Sequence, residues 1–170
     1  NCLFLYGHSG IGKTTIAHLL LDEYNYNIVE LNSSEYRTAK SIKLKINEIL
    51  QKQNVLNMFN NIKKETGIIM DEIDGLTIGE RSGLSELIKI IFPKKMDIKK
   101  HEKQKTTYKY RYLTKTPFIC ISNTLDKKLL DLKKKSCYIT IPSPSYTQLN
   151  KLCKYILDKE DISYNSYVDN

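Results

Sequence analysis

The chain contains a glycine-rich octapeptide whose residue types and spacing suit the binding of phosphate groups. It reads GHSGIGKT from Gly7 to Thr14 and satisfies the pattern G-x-x-x-x-G-K-[ST], between an apolar run and a helical pattern. Glycines let the backbone turn its N–H groups around phosphates, Lys13 reaches the β and γ phosphates, and the Thr14 hydroxyl binds Mg²⁺. The alternative is a strand-to-helix turn without a ligand. The residues predicted to bind the nucleotide are Gly7, His8, Ser9, Gly10, Ile11, Gly12, Lys13, Thr14 and Thr15.

A second motif supplies carboxylates for metal binding and catalysis. The apolar run in GIIMDEID, residues 67–74, is too short for a helix and is followed by acids. This pattern predicts a buried parallel strand that brings Asp71 and Glu72 to the carboxyl edge of the sheet, where ligands of such sheets bind. We expect Asp71 to hold Mg²⁺ and Glu72 to activate the attacking water. The alternative is a pair of acids that only terminates a strand.

Strand and helix patterns alternate along the chain, which predicts a parallel sheet with helices on both faces. The predicted strands are Cys2–Tyr6, Asn27–Leu31, Gly67–Asp71, Phe118–Ser122 and Ser136–Ile141. The predicted helices are Lys13–Tyr24, Thr38–Gln51, Val55–Lys64, Arg81–Phe92, Leu125–Leu132 and Tyr146–Asp158.

Length and composition narrow the class of protein. A chain of 170 residues fits one domain that needs no disulfide or structural metal. Cys2, Cys120 and Cys137 lie in apolar runs, so we expect buried, reduced thiols in a nuclear or cytoplasmic protein. Neither a membrane-spanning stretch nor a signal peptide is present in the sequence. Because Asn1 directly precedes a strand, the chain is predicted to be a fragment, of host or viral origin.

One segment carries most of the positive charge. Between Pro93 and Pro117, nine basic residues stand against two acidic ones, a net charge of +7 in a chain of +8. Within it, the stretch YKYRY, residues 108–112, alternates aromatic and basic residues at the period of a strand. Stacking rings and cations suit contact with nucleic acid. A solvated loop is the equally weighted alternative.

Several motifs, in family order and at near-family spacing, together resemble the AAA+ ATPase core of a replication factor C clamp loader. They include the phosphate loop; Tyr26–Glu35, which contains ELNSSE, close to the family's E-L-N-A-S-D; and Ile69–Leu76 followed by Glu80–Leu87. The last is Pro117–Asn123, a strand that ends at the family's sensor 1 position. The resemblance implies an α/β P-loop NTPase fold of the AAA+ type. This fold is a three-layer sandwich around a five-stranded parallel sheet.

The resemblance also assigns roles to individual residues. It implies that Asn123 hydrogen-bonds the γ-phosphate or the attacking water, and that Asn32 restrains the catalytic glutamate. Arg81 and Arg37 match positions that face DNA. Each has a structural alternative: Asn123 as a helix cap, Asn32 as a turn residue, and the arginines as ordinary surface residues. The predicted catalytic residues are Lys13, Glu72 and Asn123; the predicted metal ligands are Thr14 and Asp71.

The sequence departs from the small clamp-loader subunits at the arginine finger. Those subunits have Ser-Arg-Cys before the last core strand, whereas this chain has Lys135-Ser136-Cys137. Large subunits also lack this arginine, so the chain resembles a large subunit. We expect residues 1–145 to form the ATP-binding core, with a basic insertion at 93–117. Residues 146–170 are expected to begin a lid or other helical unit that is truncated.

The resemblance implies an ATP- and Mg²⁺-dependent ATPase subunit, weak in isolation, that loads a sliding clamp. Its expected partners are finger-bearing clamp-loader subunits, the clamp and primer-template DNA. The alternatives are a ring subunit whose hydrolysis is dispensable and another DNA-processing AAA+ motor of the branch-migration or helicase type. Ile88, Ile91 and Phe92 have the i, i+3, i+4 spacing of a clamp-binding helix, and the family contacts its clamp from this region. Burial of these side chains in the core is the alternative.

Overall fold

The computed structural model describes residues 2–33, 35–36, 38–60, 64–77, 83–93 and 116–162. The strands are β1 Cys2–Tyr6, β2 Asn27–Asn32, β3 Thr66–Asp71, β4 Phe118–Ser122 and β5 Cys137–Thr140. The helices are α1 Lys13–Glu23, α2 Ala39–Asn60, α3 Gly83–Ile91, α4 Leu130–Lys135 and α5 Tyr146–Lys159. Short 3₁₀ helices span Ile73–Thr77 and Lys127–Leu129.

The five strands form one parallel sheet in the order β2-β3-β4-β1-β5. Because all neighbouring strands are parallel, the carboxyl ends of β1, β3 and β4 lie at the same edge of the sheet. The predicted α/β fold with a five-stranded parallel sheet is confirmed.

Helices cover both faces of the sheet because the strand residues alternate between two cores. Phe4, Ile68 and Phe118 are in a cluster with α2 and α3 residues. Their chain neighbours Leu5, Ile69 and Ile119 are in a second cluster with Ala17 and Leu21 of α1. Strands buried on both faces read as continuous apolar runs, which is how β3 and β4 were recognised in the sequence.

The apolar face of α3 lies in the core. Ile88 and Ile91 are only 8% and 4% exposed, and the half-buried Phe92 packs against the same cluster as Leu84 and Leu87. The expectation of an exposed clamp-binding surface is therefore wrong for Ile88 and Ile91, and a clamp contact from the half-buried Phe92 stays a prediction. Core packing and partner binding require the same spacing, and here helix α2 and the rest of the core cluster cover that face.

Helix α2 is longer than predicted. The sequence suggested two helices, Thr38–Gln51 and Val55–Lys64, but one helix runs from Ala39 to Asn60. The polar residues between them include neither proline nor glycine, so nothing there forces the helix to end. The predicted helix Leu125–Leu132 is in fact a 3₁₀ helix followed by α4.

Strand β5 is at the edge of the sheet and is more exposed than predicted. Cys137 is exposed, whereas Cys2 and Cys120 are buried as expected. An edge strand has a neighbour on one side only, so its apolar sequence does not guarantee burial. Within the residues that the structure describes, no helix has both the length and the apolar character needed to cross a bilayer.

Candidate nucleotide site

The phosphate loop connects β1 to α1. At three of its glycines a side chain would be unfavourable, either because of the backbone conformation or because of a close neighbouring atom. Gly10 and Gly12 have φ values of 78° and 89°, in the left-handed region. A Cβ on Gly7 would meet the backbone oxygen of Ile141 and lie 2.5 Å from Cδ1 of Ile11. Helix α1 begins directly after Gly12 without a hydrogen bond from a capping side chain. The loop thus brings the start of α1 to the carboxyl edge of the sheet.

Lys13 lies in the loop with its ammonium group satisfied by protein atoms. The residue is 6% exposed. Its Nζ donates to the carbonyl oxygens of Gly7 and His8 at 2.9 and 2.6 Å, and to Oδ1 of Asn123 at 2.7 Å. Burial lowers the pKa of Lys13, while the nearby negative charges of Asp71 and Asp74 oppose that shift. The structure therefore brings two predicted catalytic residues, Lys13 and Asn123, into direct contact.

Thr14 and Asp71 are also in contact. The Thr14 hydroxyl donates to Oδ2 of Asp71 at 2.7 Å, which joins the start of α1 to the end of β3. Both residues were predicted metal ligands. A hydroxyl and one carboxylate, together with nucleotide phosphates and water, are the oxygen donors that Mg²⁺ prefers. Within the described ranges, no three His, Cys, Asp or Glu side chains group as a metal site.

Glu72 occupies a backbone conformation that is rare for a residue with a side chain. Its φ is 54°, and the residue is exposed. The Glu72 N–H donates to Oδ1 of Asp71 at 2.7 Å, and its carbonyl accepts from Gly75 N–H at 2.9 Å. Local hydrogen bonds thus hold the chain in a sharp turn after β3. Such outliers cost about 1–3 kcal/mol and cluster at functional sites.

Asn32 ends β2 on the same edge. It lies opposite Asp71 in the register of β2 and β3, which puts it one residue away from Glu72 along the neighbouring strand. The following residue, Ser33, donates its N–H to the Asp71 carbonyl at 3.0 Å. The restraining role suggested for Asn32 remains a prediction, and its position beside the acid pair is compatible with it.

Sequence reasoning assigned no role to Asp74. This residue lies in the 3₁₀ helix Ile73–Thr77, and its carboxylate contacts the hydroxyls of Ser122 and Thr124. The only sequence signal was its place as the third acid of the string D-E-I-D, residues 71–74, and aspartate is also common in surface turns. The contacts join residues 48 and 50 positions apart, so they depend on the pairing of β3 with β4.

Ser136, at the position where the resemblance places the arginine finger, makes a local hydrogen bond. The Ser136 hydroxyl donates to the Leu132 carbonyl at 2.7 Å, and the preceding Lys135 pairs with Asp131 at 2.8 Å. The two arginines predicted to face DNA, Arg37 and Arg81, lie outside the described residues, as do residues 94–115 of the basic segment.

The chain is similar in sequence and fold to known proteins. The profile of the ATPase family associated with various cellular activities (AAA) matches residues 3–139. A solved structure of katanin has the same fold, with a TM-score of 0.53 and 18% identity over 99% of this chain and 51% of that chain.

Two relatives are more similar in sequence. Replication factor C subunit 1 of Saccharomyces cerevisiae is 38% identical over 90 residues, covering 49% of this chain and 10% of the relative. The replication factor C large subunit of Methanosphaera stadtmanae is 31% identical over 165 residues, covering 96% of this chain and 26% of the relative. The chain thus spans about a tenth and about a quarter of the lengths of these relatives. The resemblance drawn from the sequence motifs is confirmed.

Proposed function

Because the chain belongs to the AAA ATPase family, we propose that it is the ATP-hydrolysing core of a large-subunit-like sliding-clamp loader in DNA replication. Family membership supports an ATPase, and the replication factor C relatives support the clamp-loader assignment. The location that follows from this role is nuclear or cytoplasmic. The relatives reported above are cellular proteins and give no support to a viral origin.

One observation carries the proposal: the phosphate loop contacts the ends of two other strands through the residues expected to do the chemistry. Lys13 reaches Asn123 after β4, and Thr14 reaches Asp71 at the end of β3. A simple glycine-rich turn requires neither contact. Because a lysine, a threonine, a carboxylate and an amide converge at the start of α1, the site suits a nucleoside triphosphate.

Each residue has a distinct part in the proposed mechanism. The backbone N–H groups of the loop and the Lys13 ammonium bind the β and γ phosphates. Thr14 and Asp71 would hold Mg²⁺, which would supply positive charge beside the phosphate oxygens. Glu72 accepts a proton from the attacking water, and Asn123 orients that water or the γ-phosphate. Because all three donors of the Lys13 ammonium are in use, Lys13 must release at least one of Gly7, His8 and Asn123 before it can donate to a phosphate.

The proposal includes partner subunits because this chain has no arginine at the position where small clamp-loader subunits have their arginine finger. Ser136 occupies that place, so we propose that a neighbouring subunit supplies the arginine to the site on this chain. An arginine finger contributes about 10³–10⁵ in rate, and the chain alone is expected to hydrolyse ATP slowly.

Primer-template DNA is the proposed substrate of the loaded complex. The net charge of +7 on residues 93–117 and its alternating YKYRY stretch support a DNA contact from sequence alone. Binding should weaken with salt. Lys109→Ala/Arg111→Ala should reduce the salt slope by about one unit for each phosphate that these two side chains neutralise in the wild type. An unchanged slope would indicate that this segment does not contact DNA, and Arg81 and Arg37 would be tested next.

The proposed function is tested with the full-length protein. ATP turnover is measured for the protein alone, with small clamp-loader subunits, and with clamp and primer-template DNA added. We expect slow turnover alone and an increase of about 10³-fold or more with partners. The matched control is the same assembly carrying Lys13→Ala in this chain and a Lys-to-Ala change in the partners' phosphate loops. Fast, concentration-dependent turnover by the protein alone would contradict the need for a partner's finger; no clamp loading by the assembly would contradict the proposed role.

A further inference from the structure

Asp74 has a carboxylate that reaches both neighbours of Asn123. The Ser122 hydroxyl lies 3.4 Å from Asp74 Oδ1, and the Thr124 hydroxyl lies 3.4 Å from Oδ2. These two residues immediately precede and follow Asn123 in the chain. One carboxylate thus brackets the turn that presents the Asn123 amide to Lys13.

The turn itself is tied to the phosphate loop. Ser122 is fully buried, and its hydroxyl donates to the Thr124 carbonyl at 2.5 Å, so the Asp74 oxygen at 3.4 Å is the longer, secondary contact of that hydroxyl. The Ser122 carbonyl accepts the N–H of Gly7, the first loop residue, at 3.4 Å. The Asn123 turn therefore lies directly beside the first residue of the phosphate loop.

The other side of Asp74 is fixed by core packing. Its neighbours Ile73 and Leu76 are fully buried, and Gly75 donates its N–H to the Glu72 carbonyl at 2.9 Å. Asp74 consequently belongs to the same rigid turn as Glu72. Its side chain reaches from that turn to the turn that carries Asn123. The two contacting residues, Asp74 and Ser122, are 48 positions apart in the sequence.

We propose that Asp74 is a positioning residue that sets the distance between Glu72 and Asn123 for hydrolysis. This inference rests on the proposed ATPase function of the site. Asp74 does not need to touch the nucleotide, because it acts on Asn123 through the hydroxyls of Ser122 and Thr124. Binding of phosphate by Lys13 and the loop does not require the two turns to be aligned, whereas attack by an oriented water does. Removal of the Asp74 carboxylate should therefore affect the rate of hydrolysis far more than the affinity for ATP.

The test uses the full-length protein assembled with its partner subunits. Single-turnover hydrolysis at this site is measured beside the dissociation constant of a fluorescent ATP analogue. Asp74→Ala should lower the rate by about 10²-fold, the cost of a misalignment of about 1 Å, with affinity within about threefold of wild type. Asp74→Asn, which still accepts a hydrogen bond from Thr124, should retain most of the rate. Asp158→Ala removes an exposed carboxylate on α5 and serves as the matched control, with no expected change.

A double-variant cycle tests the route of the effect. If Asp74 acts through Thr124, adding Thr124→Val to Asp74→Ala should cause little further decrease in rate, whereas independent roles would give multiplicative decreases. Unchanged hydrolysis in Asp74→Ala, or an equal fall in affinity and rate, would overturn the proposal. Should Asp74→Ala not fold, Thr124→Val decides alone: a lowered rate at normal affinity supports the proposal, and an unchanged rate overturns it.

Hydrogen exchange separates this inference from the proposed function. If the wild-type assembly hydrolyses no ATP, the ATPase assignment fails, but the contact between the turns can still be measured. Asp74→Ala should accelerate amide exchange in a peptide covering Ser122–Thr124, since the carboxylate no longer holds that turn. Asp158→Ala should leave the same peptide unchanged. Equal exchange in wild type and Asp74→Ala would overturn the positioning role, whatever the activity.

Discussion

Two helices of this chain begin in opposite ways. Helix α5 starts with a complete capping box, in which the Ser145 hydroxyl accepts the Gln148 N–H at 3.4 Å and the Gln148 side chain accepts the Ser145 N–H at 2.8 Å. Helix α1 starts after Gly12 in the left-handed conformation and has no capping side chain. Four N–H groups at any helix start need partners from outside the helix.

The difference shows how one chain separates stability from ligand binding. At α5 the chain's own side chains satisfy N–H groups, so that start is closed to a ligand and serves the helix alone. At α1 glycine leaves space beside the N–H groups, and the positive end of the helix dipole favours an anion there. Substitutions at the reactive edge beside α1 should change nucleotide chemistry, and those at α5 should change only stability.

The largest effect is expected at Glu72, beside the open helix start. Glu72→Gln keeps the side-chain shape but removes the proton acceptor, so hydrolysis at this site should fall about 10²–10⁴-fold in the assembled complex. Radiolabelled ATP should still bind with near-normal affinity. Single-site turnover and filter binding measure the two quantities. Unchanged turnover would show that Glu72 does not activate the water.

Lys13→Ala should act on affinity instead. Removing a charged donor to the phosphates costs about 1.5–3 kcal/mol, or roughly 10–10²-fold in the dissociation constant of ATP. Equilibrium titration with a fluorescent ATP analogue measures the change. Lys134→Ala, at an exposed lysine of α4, is the control and should bind normally. Equal ATP affinity in the two variants would show that Lys13 does not bind the phosphates.

Gly12→Ala tests whether the uncapped start requires its unusual backbone. A Cβ there would meet no atom within 4 Å, but φ is 89°, so the cost is conformational, about 1–2 kcal/mol of unfolding free energy. ATP affinity should fall as well. Gly75→Ala is the matched control, because its Cβ would also have open space and Gly75 has no positive φ. Chemical denaturation should show a destabilisation only for Gly12→Ala; equal stabilities would mean that the loop tolerates another conformation.

The smallest effect is expected at the closed start. Ser145→Ala removes the cap of α5 and should lower the free energy of unfolding by about 0.5–2 kcal/mol. ATP affinity should not change, since the cap faces its own helix. Ser143→Ala, two residues before the cap in the exposed connection, provides the control for denaturation and binding. A fall in ATP affinity with Ser145→Ala would contradict the view that the start of α5 serves only stability.

Strand positions were predictable where apolar runs have sharp boundaries. Strands β1 and β4 have the predicted bounds because glycine and proline flank their apolar residues. The phosphate loop was recognisable because its chemistry is local. Such features depend on residues close in sequence, which a single chain displays directly.

The sequence did not distinguish a covered apolar face from an open one. Both α3 and α5 have apolar residues at helical spacing, yet Ile91 is 4% exposed while Leu152 is 52% exposed. Periodicity identifies the face of the helix but carries no information about what packs on it. The clamp contact assigned to Ile91 was wrong for this reason.

The part of the site that depends on strand pairing could not be predicted from the sequence either. Asp74 contacts Ser122 and Thr124 because β3 and β4 are neighbours, and neither composition nor local spacing specifies that pair. The residues expected to contact the nucleotide were named from motifs. The side chain that connects two of their turns required the tertiary structure.

In the proposed ATPase, the hydrogen bond between Lys13 and Asn123 would compete with ATP for the Lys13 ammonium. With Lys13 occupied at 2.7 Å, only molecules that have released it offer their full set of phosphate donors. The apparent dissociation constant is then the intrinsic one divided by the released fraction, so a fraction of about 1% would weaken apparent affinity about 100-fold. Release of Lys13 needs only a rotation of the Asn123 side chain, so the turn itself can stay where Asp74 holds it. In the proposed mechanism, phosphate binding would thereby free the Asn123 amide to orient the attacking water.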